Sequence, residues 1–379
     1  MTFELTDEQQ AIRDAIRAFG DEEIRPIAKE YEAEQRYPSE LLAAAADLDL
    51  VAPHVPEEYG GAGMDAVSTI LVTEELWRAD PGVGGAIAAA DFGTGMLVEY
   101  GDEWMCETWL PKITAGETPI ATGISEPAHG SNVAGMETRA ERDGDEWVID
   151  GQKMWITNGS VADVAIIMAK TTPEANHRGI TAFLTETDVD GYEATPIRNK
   201  LGIKAQDTCE IVLDGLRVPD ENVVGAVDEG FYQLMEFFAP ARADVAGQAT
   251  GVAQAALEEA LAYATEREQF GQQIGEFQAI QHKLAEMATT VEAARSLAYR
   301  AGAALESGDD LLATRLCSMA KLFASEAAVE VTDEAIQVHG GAGYVADHHV
   351  ERFYRDARVT KIYDGTSEIQ KTIIADTLG

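Results

Sequence analysis

The sequence predicts an α+β protein with an N-terminal helical domain over residues 1–120, a middle antiparallel β domain over 121–225 and a C-terminal helical bundle over 226–379. Two changes of texture mark these parts. Apolar residues recur at helical spacing at both ends of the chain, whereas the middle breaks into short β-rich runs between Asp-Gly and Asn-Gly pairs. Many short strands with no long helix between them indicate an antiparallel barrel or sandwich.

In chain order, Thr6 and Gln9 have capping-box spacing ahead of Ile12, Ile16 and Phe19. Pro38-Ser39-Glu40 opens a second helix through Leu41 and Leu42. Gly60-Gly61-Ala62-Gly63 and Pro81-Gly82-Val83-Gly84-Gly85 follow no strand, so neither supports a dinucleotide-binding fingerprint. The strand signals are Glu146–Ile149, Val164–Ala169, Ile180–Thr185 and Cys209–Leu213, with turns at Asp143-Gly144, Asp150-Gly151, Asn158-Gly159 and Asp190-Gly191. Beyond residue 226, Ile274, Phe277, Ile280, Leu284, Met287 and Val291 recur every three or four residues. A further long helix runs from about Leu311 to Val338 and stops at Gly340-Gly341.

A last helical run carries Phe353, Ala357 and Val359 to a break at Tyr363-Asp364-Gly365-Thr366. Ser367 and Gln370 have capping-box spacing, so a new helix begins at once. Asp364 thus lies on a tight turn just before a helix N-terminus, where free N–H groups and the dipole favour a carboxylate. An Asp-Gly pair is also an ordinary turn signal. The residues alone leave open whether Asp364 is a turn former or a base on a rigid elbow.

Composition narrows the partners. The 379 residues include 67 Asp+Glu against 28 Lys+Arg, a net charge of −39 and a pI near 4.3. Such a surface repels nucleic acid and anionic membranes. No apolar run is long enough to span a membrane, and the N-terminus lacks a basic region followed by an apolar core, so the cytoplasm is expected. Cys106, Cys209 and Cys317 stand far apart and suit reduced, buried thiols. No metal site is expected: there is no H-E-x-x-H, and His348-His349 with Glu351 is too weak a pattern.

Four more stretches matter. They are Thr122–Pro127 with Gly130-Ser131-Asn132, Lys153–Gly159, Arg267–Gly271 with Phe277–Gln281, and Gln337–Tyr344. Each alone has a structural explanation: Trp155 as a sheet residue, Arg267 as a helix-surface charge, the glycines near 340 as a helix stop. Together, in this order and spacing, and with Leu201-Gly202-Ile203-Lys204, Arg217-Val218-Pro219 and Asn222-Val223-Val224-Gly225, they resemble the acyl-CoA dehydrogenase family of flavoproteins. The resemblance runs from Thr6 to Ile374.

The resemblance implies FAD as cofactor. Ile124, Ser125, Trp155 and Thr157 match residues facing the isoalloxazine ring, to which Ser125 and Thr157 offer hydrogen bonds and Trp155 a flat face. Arg267, Phe270, Gln337 and Gly341 match residues that hold the ADP half of FAD from the next subunit, with Arg267 suited to pyrophosphate. Thr366 would also touch FAD. Ser131, Arg242, Tyr363 and Gly365 match the substrate side. A shared site implies a homo-oligomer, a dimer of dimers by the family's habit. The implied reaction is α,β-dehydrogenation of an acyl-CoA to the trans-2-enoyl-CoA, with electrons passed to an electron-transferring flavoprotein and Asp364 as the base.

Here the sequence departs from the commonest family pattern. Most short- and medium-chain members carry Glu at the position of Asp364, and some place it instead just before the Arg that matches Arg242, where this chain has Ala241. Asp364 is the only carboxylate at either position. Asp at this place is also a feature of nitroalkane oxidases, which leaves a nitroalkane-deprotonating flavoenzyme as one alternative. A low-turnover subunit that binds flavin and acyl-CoA within a hetero-oligomer is another.

The acid is spread along the chain rather than gathered in a tail, which favours a solvating surface for a salt-rich, halophilic cytoplasm. Self-repulsion would then be screened by salt. The melting temperature should climb as KCl is raised from dilute buffer to the molar range; full stability in dilute buffer would contradict this.

Overall fold

The computed structural model describes residues 5–378. Helices lead the chain: α1 (Asp7–Phe19), α2 (Ala28–Glu34), α3 (Ser39–Ala46), α4 (Ala66–Ala79), α5 (Val83–Ala88), α6 (Thr94–Tyr100) and α7 (Glu103–Thr114). The capping box at α1 forms as the spacing predicts. Gln9 N donates to Thr6 Oγ1 at 3.2 Å, and Thr6 N donates to Gln9 Oε1 at 3.1 Å. Helix α2 carried no sequence signal, because Ile27 at its N-cap offers no side-chain acceptor. The stretch at Pro81 proves to be the start of α5.

Strands follow: β1 (Ile120–Gly123), β2 (Arg139–Asp143), β3 (Glu146–Thr157), β4 (Val164–Lys170), β5 (Ile180–Glu186), β6 (Tyr192–Pro196), β7 (Thr208–Pro219) and β8 (Val223–Val224). They form one sheet in the order β6-β7-β3-β2-β4-β5-β8, with β1 beside β4. Pairing is antiparallel except for β1 and β2 against β4, which are parallel. Strand β3 also runs straight through Asp150-Gly151, which the sequence suggested as a turn. Its register against β7 shifts between Ile149 and Gly151, so the glycine marks a bulge within one strand. A Cβ on Gly151 would lie 2.4 Å from Thr138 Oγ1, which is why glycine stands there.

The chain ends in α8 (Gly230–Glu266), α9 (Gln278–Leu305), α10 (Asp310–His339), α11 (Val350–Ala357) and α12 (Ser367–Asp376). The first three make the bundle, with α4 packed against α8. Small residues let these two helices close: a Cβ on Gly251 would lie 2.1 Å from the Glu74 carbonyl oxygen. The buried acids of α4 are all paired. Arg295 Nε donates to Glu74 Oε1 at 2.8 Å, Tyr299 donates to Glu74 Oε2 at 2.9 Å, and Arg17 grips Glu75 through two bonds of 2.9 Å. Without such partners these charges would not be tolerated inside.

One apolar core joins the N-terminal helices to β1, β4 and β5, a second fills the bundle, and a third covers the other face of the sheet around Trp147 and Phe183. Sheet and bundle are tied at Asp356 of α11, whose Oδ1 accepts the Ile203 N–H at 2.6 Å. Among the described residues no helix is long and apolar enough to cross a membrane.

Candidate active site

The turn before α12 is strapped down from three sides. Gln370 Nε2 donates to the carbonyls of Asp364 (3.0 Å) and Gly365 (2.9 Å), and Lys321 Nζ of α10 donates to the Gly365 carbonyl at 2.7 Å. The Tyr363 hydroxyl donates to Gln248 Oε1 of α8. Asp364 takes φ +50 and Gly365 φ +90, so the main chain turns in the left-handed region where glycine is at ease and aspartate is tolerated. The cap itself is one residue earlier than the spacing suggested. Thr366, not Ser367, accepts the Ile369 N–H (3.4 Å), and this register shift is what frees the Gln370 amide for the turn. Ser367 Oγ donates instead to Glu326 at 2.9 Å.

Asp364 is deep in the fold yet keeps accessible surface, as a side chain lining a cleft does. Burial pushes its carboxyl up, Lys321 and Arg242 pull it down, and the balance stands at about 6. Burial in turn depresses the Lys321 ammonium to about 8, against the support of Asp364. Arg242 on α8 is only 7% exposed; burial lowers its affinity for its proton while Asp364 sustains the charge. The Arg242 Nε has no hydrogen-bond partner among the described residues. Ala241, at the other base position, is a buried alanine and can take no part.

A second cluster lies on the sheet. Met154 N donates to the Ser125 carbonyl at 2.9 Å, which straps the loop after β1 onto β3. Beneath it, fully buried Lys153 bonds Glu126 Oε1 at 2.8 Å and the Ile124 carbonyl at 3.3 Å. Burial pushes the Glu126 carboxyl up, but the charge of Lys153 outweighs it and, with the Glu137 and Thr138 N–H groups, keeps it ionised. Ser125 and Thr157 are half-buried, Ser131 is exposed, and Ile124 is buried in the core. Trp155 stands out. Its indole is 60% exposed and its φ is +66, at a bulge where the β3–β7 register shifts between Lys153 and Ile156. A bulky residue held in that conformation costs energy, and here the effect is to turn a flat aromatic face outward.

The other sequence-predicted positions form a third group. Arg267, Phe270, Gln337 and Gly341 are all exposed at the far end of the bundle. Phe270 is 94% exposed with φ +53. Arg267 lies about 37 Å along α8 from Arg242, and Gln337 about 24 Å along α10 from Lys321, at the helical rise. Within one chain they are therefore not brought to Asp364. Lys321, Gln248 and Gln370 were missed by the sequence reading, as were Asp244 and His54 on neighbouring elements. Lys321 and Asp244 had a legible signal: Lys321 is an isolated charge, and Asp244 one of a close pair with Arg242, in alanine-rich, largely buried stretches of helix.

Comparison with known proteins gives the chemistry its setting. The acyl-CoA dehydrogenase N-terminal, middle and C-terminal domain models match residues 6–117, 121–216 and 228–379. The chain is 41% identical to the probable acyl-CoA dehydrogenase FadE25 of Mycobacterium tuberculosis over 99% of its length and 96% of that protein's. It superposes on butyryl-CoA dehydrogenase from Megasphaera elsdenii with a TM-score of 0.95 and 35% identity, covering 100% of both chains. It also matches a chain in the structure of the electron transferring flavoprotein of Acidaminococcus fermentans, with a TM-score of 0.96 and 36% identity, over 100% of this chain and 99% of that one. The fold is that of the flavin-dependent oxidoreductases it matches. The chain belongs to the acyl-CoA dehydrogenase family, and its cofactor is FAD. The outward indole of Trp155, next to the Met154–Ser125 strap and two residues from half-buried Thr157, suits a planar ring with a polar edge.

The balance at Asp364 predicts a pH profile. If Asp364 serves as the base, flavin reduction by substrate, followed by stopped flow, should be lost as pH falls through about 6, where Asp364 takes up its proton. In Lys321→Met one opposing cation is gone, burial acts with less restraint, and this limb should move up by about one unit or more. A limb that stays in place would remove Lys321 from control of the base.

Proposed function

We propose that this protein removes hydrogen from the α- and β-carbons of an acyl-CoA thioester, giving the trans-2-enoyl-CoA, and passes the electrons to an electron-transferring flavoprotein. The observation that carries the reading is Asp364: a carboxylate on a strapped turn, tuned to about 6, opposite two buried cations. Its carboxylate takes the α-proton, and the C–H electron pair becomes the new double bond. FAD, when bound, supplies the acceptor for the hydride that leaves the β-carbon. A free carboxylate near its ordinary pKa of about 4 would be a poorer base, so burial is part of the catalysis. Ser131, Tyr363, Gly365 and Arg242 would line the thioester side.

Asp is one methylene shorter than the commoner Glu. The positive φ at Asp364, held by Lys321 and Gln370, supports a main chain that sets the reach of this shorter side chain. Ser125, Thr157, Trp155, the Ile124 backbone and Thr366 would hold the flavin end of the cofactor. Arg267, Phe270, Gln337 and Gly341 would hold the far end of a cofactor bound to a second copy, which supports a homo-oligomer built as a dimer of dimers. Their exposure and their distance from Asp364 favour that arrangement. The likeness to a chain in the Acidaminococcus fermentans flavoprotein structure supports the acceptor. Three buried free thiols and the acidic surface are consistent with a reducing, salt-rich cytoplasm.

The purified protein should carry one FAD per subunit and bleach anaerobically with acyl-CoAs but not with nitroethane. Bleaching by nitroethane alone would turn the reading to a nitroalkane oxidase, and bleaching by neither to a non-catalytic subunit. Arg267→Ala should weaken FAD binding in equilibrium dialysis by about 1.5–3 kcal/mol, the worth of a charge-assisted contact. Unchanged affinity would remove Arg267 from the cofactor site.

A further inference from the structure

Helix α8 brings a second acid towards the base that the reaction above does not use. Phe237, Ala241, Asp244 and Gln248 follow one another at helical spacing and form one stripe. Contacts fix both ends of it. Phe237 meets Phe92 edge to face with ring centroids 5.1 Å apart, and Gln248 accepts the hydroxyl of Tyr363, the neighbour of Asp364. Asp244 therefore lies between the Phe92 turn and the base. Asp91, next to Phe92, has its own partner in His54, whose Nδ1 is 3.5 Å from Asp91 Oδ2 and whose Nε2 is 3.1 Å from Thr94 Oγ1. The Asp244 carboxyl has no hydrogen-bond or ion-pair partner among the described residues.

Asp91, Asp244, Tyr363 and Asp364 share one property: each is surrounded by protein and each still keeps accessible surface. Side chains that line an internal cleft have this combination. Arg242, on another face of α8 beside Phe238, is 7% exposed with its Nε unpartnered, and its charge is felt at Asp364 at the inner end of the same cleft. Burial, then the charges of Asp91 and Asp364, push the Asp244 carboxyl well above the usual range. A plain hydrocarbon chain laid against such a group would leave it desolvated and unsatisfied. A hydrogen-bond donor placed there would satisfy it.

Resting on the acyl-CoA reading, we propose that Asp244 determines specificity by accepting a hydrogen bond from a hydroxyl or ammonium group on the acyl chain. The preferred thioester then carries such a donor a few carbons beyond the carbonyl, rather than an unsubstituted alkyl chain or a terminal carboxylate.

The test compares butanoyl-, 4-hydroxybutanoyl-, 4-aminobutanoyl- and glutaryl-CoA on the holoenzyme, by kcat/KM for flavin bleaching. Binding to Asp364→Asn holoenzyme, read by calorimetry, supplies a measure independent of turnover. At least one donor-bearing thioester should exceed butanoyl-CoA by about tenfold in both measures, and Asp244→Val should reverse the order. Asp244→Asn, which keeps an acceptor oxygen of the same reach, should retain the preference for the donor-bearing thioester. Butanoyl- or glutaryl-CoA as the best wild-type substrate, or an order unchanged in Asp244→Val, would overturn the proposal. If butanoyl-CoA reduces the flavin while the donor-bearing thioesters do not, this inference fails alone. If no thioester reduces it, the dehydrogenation reading fails and this inference with it.

Discussion

The site depends on one electrostatic balance, the burial of Asp364 against Lys321 and Arg242. Burial alone would keep the carboxyl protonated and useless as a base. The two cations alone would hold it ionised but weak. Together they leave it at about 6, close to the pH at which a base is most effective. The cations are themselves buried, and neither would be tolerated there without a carboxylate to face. Asp364 and the cations therefore stabilise one another, and the Lys321 bond to the Gly365 carbonyl makes the same interaction hold the shape of the turn.

That balance requires three remote stretches of chain to meet. Helix α8 supplies Arg242 and the Gln248 anchor, α10 supplies Lys321 and Glu326, and the tail supplies the turn. Helix α8 is positioned by α4, and glycine is needed at 251 because any larger residue would strike the Glu74 carbonyl. The acids on α4 are neutralised by Arg17 from α1 and Arg295 from α9. The N-terminal helices thus carry part of the load of a site whose chemistry lies at the C-terminus.

Much of this was legible in the sequence, for local reasons. The α1 capping box, the long helices and the turn at Asp364 rest on spacing within a few residues, and all three appear in the structure. What was not legible depends on long-range geometry. The parallel pairing of β1 with β4 is a choice between partners more than forty residues apart, which a strand's own residues do not encode. Asp150-Gly151 has turn chemistry but serves a bulge, because the main chain near Thr138 presses against it. The Ser367–Gln370 spacing was right for a cap and off by one residue, since Thr366 is an equally good acceptor. Lys321 and Asp244 showed only as charges out of place on buried helices, and their meaning needed the fold.

The account stands or falls on the base. Asp364→Asn keeps the shape of the turn and removes the proton acceptor, leaving Lys321, Arg242 and the FAD contacts intact. With saturating thioester under anaerobic conditions, its flavin should be reduced at least about 1,000-fold more slowly than wild type, while FAD and thioester binding persist. Reduction at the wild-type rate would contradict the assignment of Asp364.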